Sequence, residues 1–112
     1  MKRFEIWMAE LPAEAGSHVQ QGVRPVVVVS NDAANRYSPV VTVVPLTSQR
    51  KKPLPTHVVI RDHGLKKIST ALCEQVTSVD RARLTRPIGF VYNALERTAL
   101  CHALSVQLGM AA

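Results

Sequence analysis

The chain has 112 residues, 46% of them hydrophobic and only 4% aromatic. That length suits one domain around one core, and the apolar content excludes a disordered tail. Fourteen Lys and Arg against eight Asp and Glu give a formal charge of +6, which points to polyanionic partners, nucleic acid first among them.

In FEIWMAEL, Phe4, Ile6 and Met8 alternate with Glu5, Trp7 and Ala9, the period of a first strand. PAEAGSHVQQG is polar and glycine-bearing, a long loop. RPVVVVS is a second strand, and the succession Val26, Val27, Val28, Val29 predicts burial on both faces. NDAANRYSP is rich in Asn, Asp and Ser and predicts a turn. VVTVVPL, bounded by Pro39 and Pro45, is a third strand.

TSQRKKPLPT is then a basic loop, HVVI a short strand, and RDHGLKK a turn around Gly64. STALCEQVTSV predicts one further strand, closed by DRARL as a single helical turn, and RPIGFVY is the last strand. NALERTALCHALSVQLG is the one convincing helix. Asn93 is its N-cap with Glu96 three residues on, Leu100, Leu104 and Leu108 share a face, and Gly109 is its stop. Short strands without intervening helices exclude a parallel βαβ fold. The expected fold is mainly β, an SH3-like barrel with a C-terminal α-helix, with residues 1–112 forming one domain.

No run approaches the roughly 18 apolar residues of a membrane span. Glu5 and Glu10 interrupt the segment where a secretory leader would be apolar. These features predict a soluble cytoplasmic protein, in which Cys73 and Cys101, far apart and each in an apolar pattern, are reduced thiols.

Familiar catalytic signatures are missing: no phosphate-binding glycine loop, no Cys-x-x-Cys, no His-Glu-x-x-His and no glycine-flanked nucleophilic serine. His18, His57, His63 and His102 do not cluster at ligand spacing, so neither metal nor cofactor is expected. What remains is polar residues at strand ends. Arg24 opens the second strand; Thr47 and Ser48 close the third, just before Arg50, Lys51 and Lys52. If those strands pair antiparallel, Arg24 and Thr47 become neighbours. Glu74 and Gln75 are polar residues inside an otherwise apolar segment. Each also has a purely structural explanation: a snorkelling arginine, a turn threonine, solvated loop lysines, a satisfied inner glutamine.

The segments GVRPVVVVSND, NRYSP, VVPLTS, LPTHV, LCEQVTSVDRARL and ALSVQLG stand in the order found in the MazF/PemK toxins. From about Ile6 to Gly109 the chain resembles these sequence-specific endoribonucleases of toxin–antitoxin systems. The resemblance implies an SH3-like barrel of the CcdB/PemK kind, a homodimer, metal-independent cleavage of single-stranded RNA, and a cognate MazE-like antitoxin. It places Arg24 and Thr47 as catalytic residues and Gln75 as an RNA contact. The loop from Gly16 to Gly22, with His18, Gln20 and Gln21, corresponds to one that borders the RNA groove and is displaced or blocked by antitoxin. Ser48, Arg50, Lys51 and Lys52 would hold the RNA strand beyond Thr47.

Two stretches depart from the family pattern. The loop reads GSHVQQG without the usual acid, and Phe4 and Glu5 replace a Gly-Asp. The alternatives are a CcdB-like gyrase poison, which the absence of tryptophan in SVQLGMAA disfavours, and a non-catalytic RNA-binding barrel.

Overall fold

Four successive β-branched residues can all be buried only if their strand has apolar layers on both sides. In the computed structural model, which describes residues 1–110, Val26 to Val29 are all buried. Val27 and Val29 join Ile6, Val44, Leu46, Ile60 and Leu100 in one core, while Val26 and Val28 join Ala9, Leu11, Val41 and Val43 in a second. The sheet divides the two.

Seven strands build it: β1 (Glu5–Leu11), β2 (Gly22–Val28), β3 (Val40–Thr47), β4 (His57–Ile60), β5 (Ser69–Leu72), β6 (Thr77–Asp80) and β7 (Leu84–Phe90). All pairings are antiparallel, in the order β4-β5-β3-β2-β1-β7, with β6 also on β3. The mainly β barrel expected from the sequence is the fold observed.

Several expectations need correction. The NDAANRYSP segment is a short helix, α1 (Asp32–Tyr37), and not only a turn. The Asn31 side chain caps it by accepting from Ala34 N at 2.8 Å. Buried Asn35 donates to the carbonyl of Ser30 at 2.8 Å, and Arg81 donates to the carbonyl of Asn35 at 2.7 Å. Six residues are too few to hold a helix by propensity, so these tertiary bonds stabilise it. The third strand does not stop at Pro45 but continues to Thr47. Pro45 falls between the β6 pairing, which ends at Val43, and the β5 pairing, which begins at Leu46, so no partner there needs its missing N–H.

The segment STALCEQVTSV is two strands. A 3-10 turn at Cys73–Gln75 separates β5 from β6, which lets one stretch of chain pair with both ends of β3. In β1 the simple alternation also fails. Register shifts against β7 leave Ile6, Ala9 and Leu11 buried, while Met8 is half-buried.

The C-terminal helix, α2 (Ala94–Gln107), is capped as expected: the Asn93 side chain accepts from Leu95 N and Glu96 N. Leu100 and Ala103 enter the core, with Leu104 packed beside them. Leu108 does not follow, being 61% exposed, because the helix ends one residue earlier and Gly109 turns the chain away at φ 69°. Glu96 does not close a capping box either; its carboxylate crosses to the turn after β4, accepting from Arg61 N at 2.9 Å and meeting His63 Nε2 at 2.6 Å.

That turn closes the barrel. Asp62, His63 and Gly64 all have positive φ, a costly conformation for the first two. It persists because β7 lies directly beneath. A Cβ at Gly64 would stand 2.9 Å from Ile88 Cγ2 and overlap the Ile88 carbonyl oxygen; a Cβ at Gly89 would overlap the carbonyl oxygen of His63. The two ends of the strand order, β4 and β7, are therefore brought together by backbone packed on backbone, with Glu96 holding the turn from α2.

Candidate functional site

In the β2–β3 ladder Val26 faces Pro45. The paired residues end there, but continued two residues along each strand, in opposite directions, that register brings Arg24 level with Thr47, as the antiparallel argument expects. Both residues line an open cavity of about 400 Å³ at that end of the barrel, together with Ser48. Thr47 is buried and its Oγ1 accepts from Gln49 N at 3.2 Å, so its own proton remains free to donate. Arg24 is half-buried; its Nε donates to the Gln21 carbonyl at 2.7 Å. That bond aims the guanidinium and leaves its two terminal nitrogens for a ligand.

The cavity also contains residues that sequence reasoning missed. Lys66 and Lys67 line it from the turn after β4, and Arg86 lines it from β7. Among the described residues that line it there are four cationic side chains and no carboxylate. The Lys-Lys pair in RDHGLKK was visible as charge. Nothing local showed that it faces Arg24.

Gln75, Lys51 and Lys52 do not share this cavity. They line a second groove, of about 270 Å³, with Leu54, His57, Leu72 and Glu74. Gln75 connects the groove to the Gly16–Gly22 loop, since its Oε1 accepts from Gln20 N at 2.7 Å. The loop braces itself through Gln21, whose side chain bonds the main chain of Glu14 in both directions, at 2.7 and 3.0 Å. Gln20 and Gln21 thus act on the site through the main chain: Gln20 orients Gln75 and Gln21 orients Arg24. His18 and Arg50 are exposed and line neither cavity.

Glu74 sits beside Gln75 on the 3-10 turn and organises its surroundings. It meets His57 Nε2 at 2.9 Å and accepts from Thr56 Oγ1 at 3.1 Å. Burial alone would raise its pKa, but the His57, backbone and Thr56 hydrogen bonds outweigh it and hold the carboxyl below the ordinary value. Next to it, burial first and the Glu74 charge second push the Cys73 thiol up to about 12, which makes it an inert core group. Cys73 and Cys101 are both unpaired thiols, as expected. Among the described residues no group of three or more His, Cys, Asp or Glu is placed to hold a metal ion.

Known proteins resemble this chain along nearly its whole length. Residues 2–106 match the family described as PemK-like, MazF-like toxin of type II toxin–antitoxin system. The chain belongs to this family. It is 43% identical over 91 residues to "Endoribonuclease EndoA" of Bacillus subtilis, covering 79% of this chain and 78% of that protein. It is 36% identical to "Endoribonuclease MazF" of Staphylococcus epidermidis, covering 98% and 92%. Among solved structures, MazF of Deinococcus radiodurans superposes with a TM-score of 0.82 at 27% identity, covering 98% and 97% of the two chains. A MazE–MazF complex from the same organism gives 0.72 at 27%, covering 98% and 96%. Within the MazF/PemK family the chain therefore stands among endoribonuclease toxins.

Proposed function

We propose that this MazF-type toxin cuts single-stranded RNA in a sequence-specific, metal-independent way, with Arg24 and Thr47 as its catalytic pair. The observation that carries this reading is their meeting in one cationic cavity, Arg24 with its terminal nitrogens unoccupied and Thr47 with its proton to donate.

RNA brings its own nucleophile. The 2′-oxygen attacks the adjacent phosphorus, the bond from phosphorus to the 5′-oxygen breaks, the 2′-hydroxyl gives up its proton and the leaving 5′-oxygen takes one. The products are a 2′,3′-cyclic phosphate and a 5′-hydroxyl. The protein's task is to hold the strand in line and stabilise the phosphorane's added negative charge. A forked guanidinium does the latter by bonding two phosphate oxygens at once. One such preorganised donor is worth about 10²–10³ in rate. An arginine, with a pKa of about 12.5–13.8, is a poor proton carrier, so Arg24 acts chiefly by charge and Thr47 by orienting the 2′-hydroxyl.

In this reading the second groove binds RNA beyond the cut. Lys51 and Lys52 in the groove, and exposed Arg50 outside it, meet backbone phosphate, while the Gln75 amide, whose oxygen is held by Gln20, presents its NH₂ to a base. Ser48 contacts the strand at the cavity rim. The protein acts in the cytoplasm as a single-domain homodimer, and a cognate antitoxin neutralises it; the MazE–MazF complexes of Deinococcus radiodurans support that last element by similarity.

The test is incubation of purified protein with a long RNA in excess EDTA, followed by end-group mapping. Cleavage at a fixed short motif with cyclic phosphate and 5′-hydroxyl ends is expected. Strict dependence on added divalent metal, or 5′-phosphate ends, overturns the mechanism.

A further inference from the structure

Lys66, Lys67 and Arg86 are exposed cations that the proposed chemistry does not use, and they come from opposite ends of the strand order. None of them forms an ion pair among the described residues, where the only such pairs are His57–Glu74 and His63–Glu96. They nonetheless converge on the cavity that holds Arg24 and Thr47. The Gly64–Gly89 packing is the cause: it lays the turn after β4 on β7, two residues before Lys66 on one side and three after Arg86 on the other.

Their distance from the cutting pair can be read from the ladder. Arg86 faces Met8, and Met8 faces Pro25, so Arg86 stands two strands away from the residue next to Arg24. Two strand spacings come to about 10 Å between main chains. A span of that size accommodates two phosphates of one strand, the scissile one at Arg24 and a different one at Arg86. Met8 and Pro25 stand between them, and Leu46 and Ile88 also line the cavity, apolar surface for a sugar or base edge and not for charge.

We propose that Lys66, Lys67 and Arg86 form a second phosphate clamp, which holds a non-scissile phosphate of the RNA and thereby positions the strand for Arg24 and Thr47. It rests on the RNA-cleavage reading but concerns binding, so the two can fail separately. The clamp reads no base. Lysine ammoniums on flexible stems and an exposed arginine fit the phosphate backbone, whose contacts fix register and not sequence. The Gly64–Gly89 seam holds the three cations in one place.

The test uses the intact protein and a 2′-O-methyl RNA oligonucleotide that cannot be cut, with binding followed by fluorescence anisotropy across a salt series. Arg86→Ala, and separately Lys66→Ala with Lys67→Ala, should each weaken binding by up to about fivefold, as exposed ion pairs do. The slope of log affinity against log salt should fall by about 0.7 for each phosphate no longer neutralised. Methylphosphonate linkages placed one at a time along the oligonucleotide then locate the phosphate. At one position neutralisation should weaken binding to the wild type and leave binding to the Arg86→Ala protein unchanged. Arg86→Lys should restore most of the affinity.

On cleavable RNA the same variants should raise KM with kcat nearly kept, and cut at the same motif. Unchanged affinity and salt slope in the variants overturn the clamp, as does a methylphosphonate effect of equal size in wild type and Arg86→Ala at every position. If the wild type binds the oligonucleotide but cuts no RNA, the catalytic reading fails while the clamp is still judged by these binding data.

Discussion

Gly89 lies so close to His63 that a Cβ on the glycine would overlap the histidine's carbonyl oxygen and stand 2.8 Å from its carbonyl carbon. This is where the last strand meets the turn that carries Lys66 and Lys67. Backbone cannot step aside as a flexible side chain can. Gly89→Ala should therefore destabilise the protein by about 3 kcal/mol or more, at the upper end of overpacking effects. Thermal unfolding measures it. A variant as stable as the wild type would show that the seam is loose and the barrel is closed elsewhere.

Arg24 and Thr47 touch little of the core through their functional atoms. Arg24→Ala should lower kcat by about 10²–10³ while leaving the unfolding temperature nearly unchanged. Thr47→Ala removes a buried hydroxyl that satisfies Gln49 N, so a small loss of stability, on the order of 1 kcal/mol, should accompany its loss of activity. Thr47→Ser keeps the hydroxyl and should retain measurable cleavage. If it is as inactive as the alanine variant, the hydroxyl is not what the site requires.

Lys51 and Lys52 line the groove of Gln75 and not the cavity of Arg24. Replacing both with alanine should weaken RNA binding to the same degree for all sequences, with a salt slope lowered by about 0.7 for each phosphate the lysines had neutralised. The cut motif should stay the same, because base reading falls to Gln75 and the loop that orients it. A new motif with the old salt slope would assign base reading to the lysines.

Glu74 gives a pH dependence of defined sign. Its pKa is lower folded than its ordinary value of 4.5, so the folded state binds this proton less readily than the unfolded one. The resulting stabilisation is present above pH 4.5 and is lost as the pH falls through that value towards the lowered one. Denaturation of wild type and Glu74→Gln across the acid range measures it. The wild-type advantage should shrink in that window, and a constant difference down to the most acidic conditions would show that the carboxylate is not held by His57 and Thr56.

Much of this molecule can be read from local pattern. The valine run of β2 demands two apolar layers whatever surrounds it, and Asn93 caps α2 through bonds to Leu95 N and Glu96 N that lie within three residues. The nearness of Arg24 to Thr47 is legible for the same reason: antiparallel register is a rule about two strands, and it needs no knowledge of the rest. Where a reading failed, a partner distant in sequence decided. Helix α1 depends on the bond from Arg81 to Asn35, and the break at Cys73–Gln75 depends on β3 offering pairing sites to both β5 and β6.

The sequence by itself thus determined the class of fold, through periodicity, and the nearness of Arg24 to Thr47, through register between two strands, while their role as the pair proposed to cut came from the resemblance to the MazF/PemK toxins. Only the tertiary structure decided what else stands around that pair. Lys66 and Arg86 are 20 positions apart, on elements that share no hydrogen-bonded ladder. No periodicity links them, because barrel closure sums the twist of six successive strands and ends in one seam, Gly64 on the backbone of Ile88 and Gly89 on that of His63, that leaves no signature beyond two small residues.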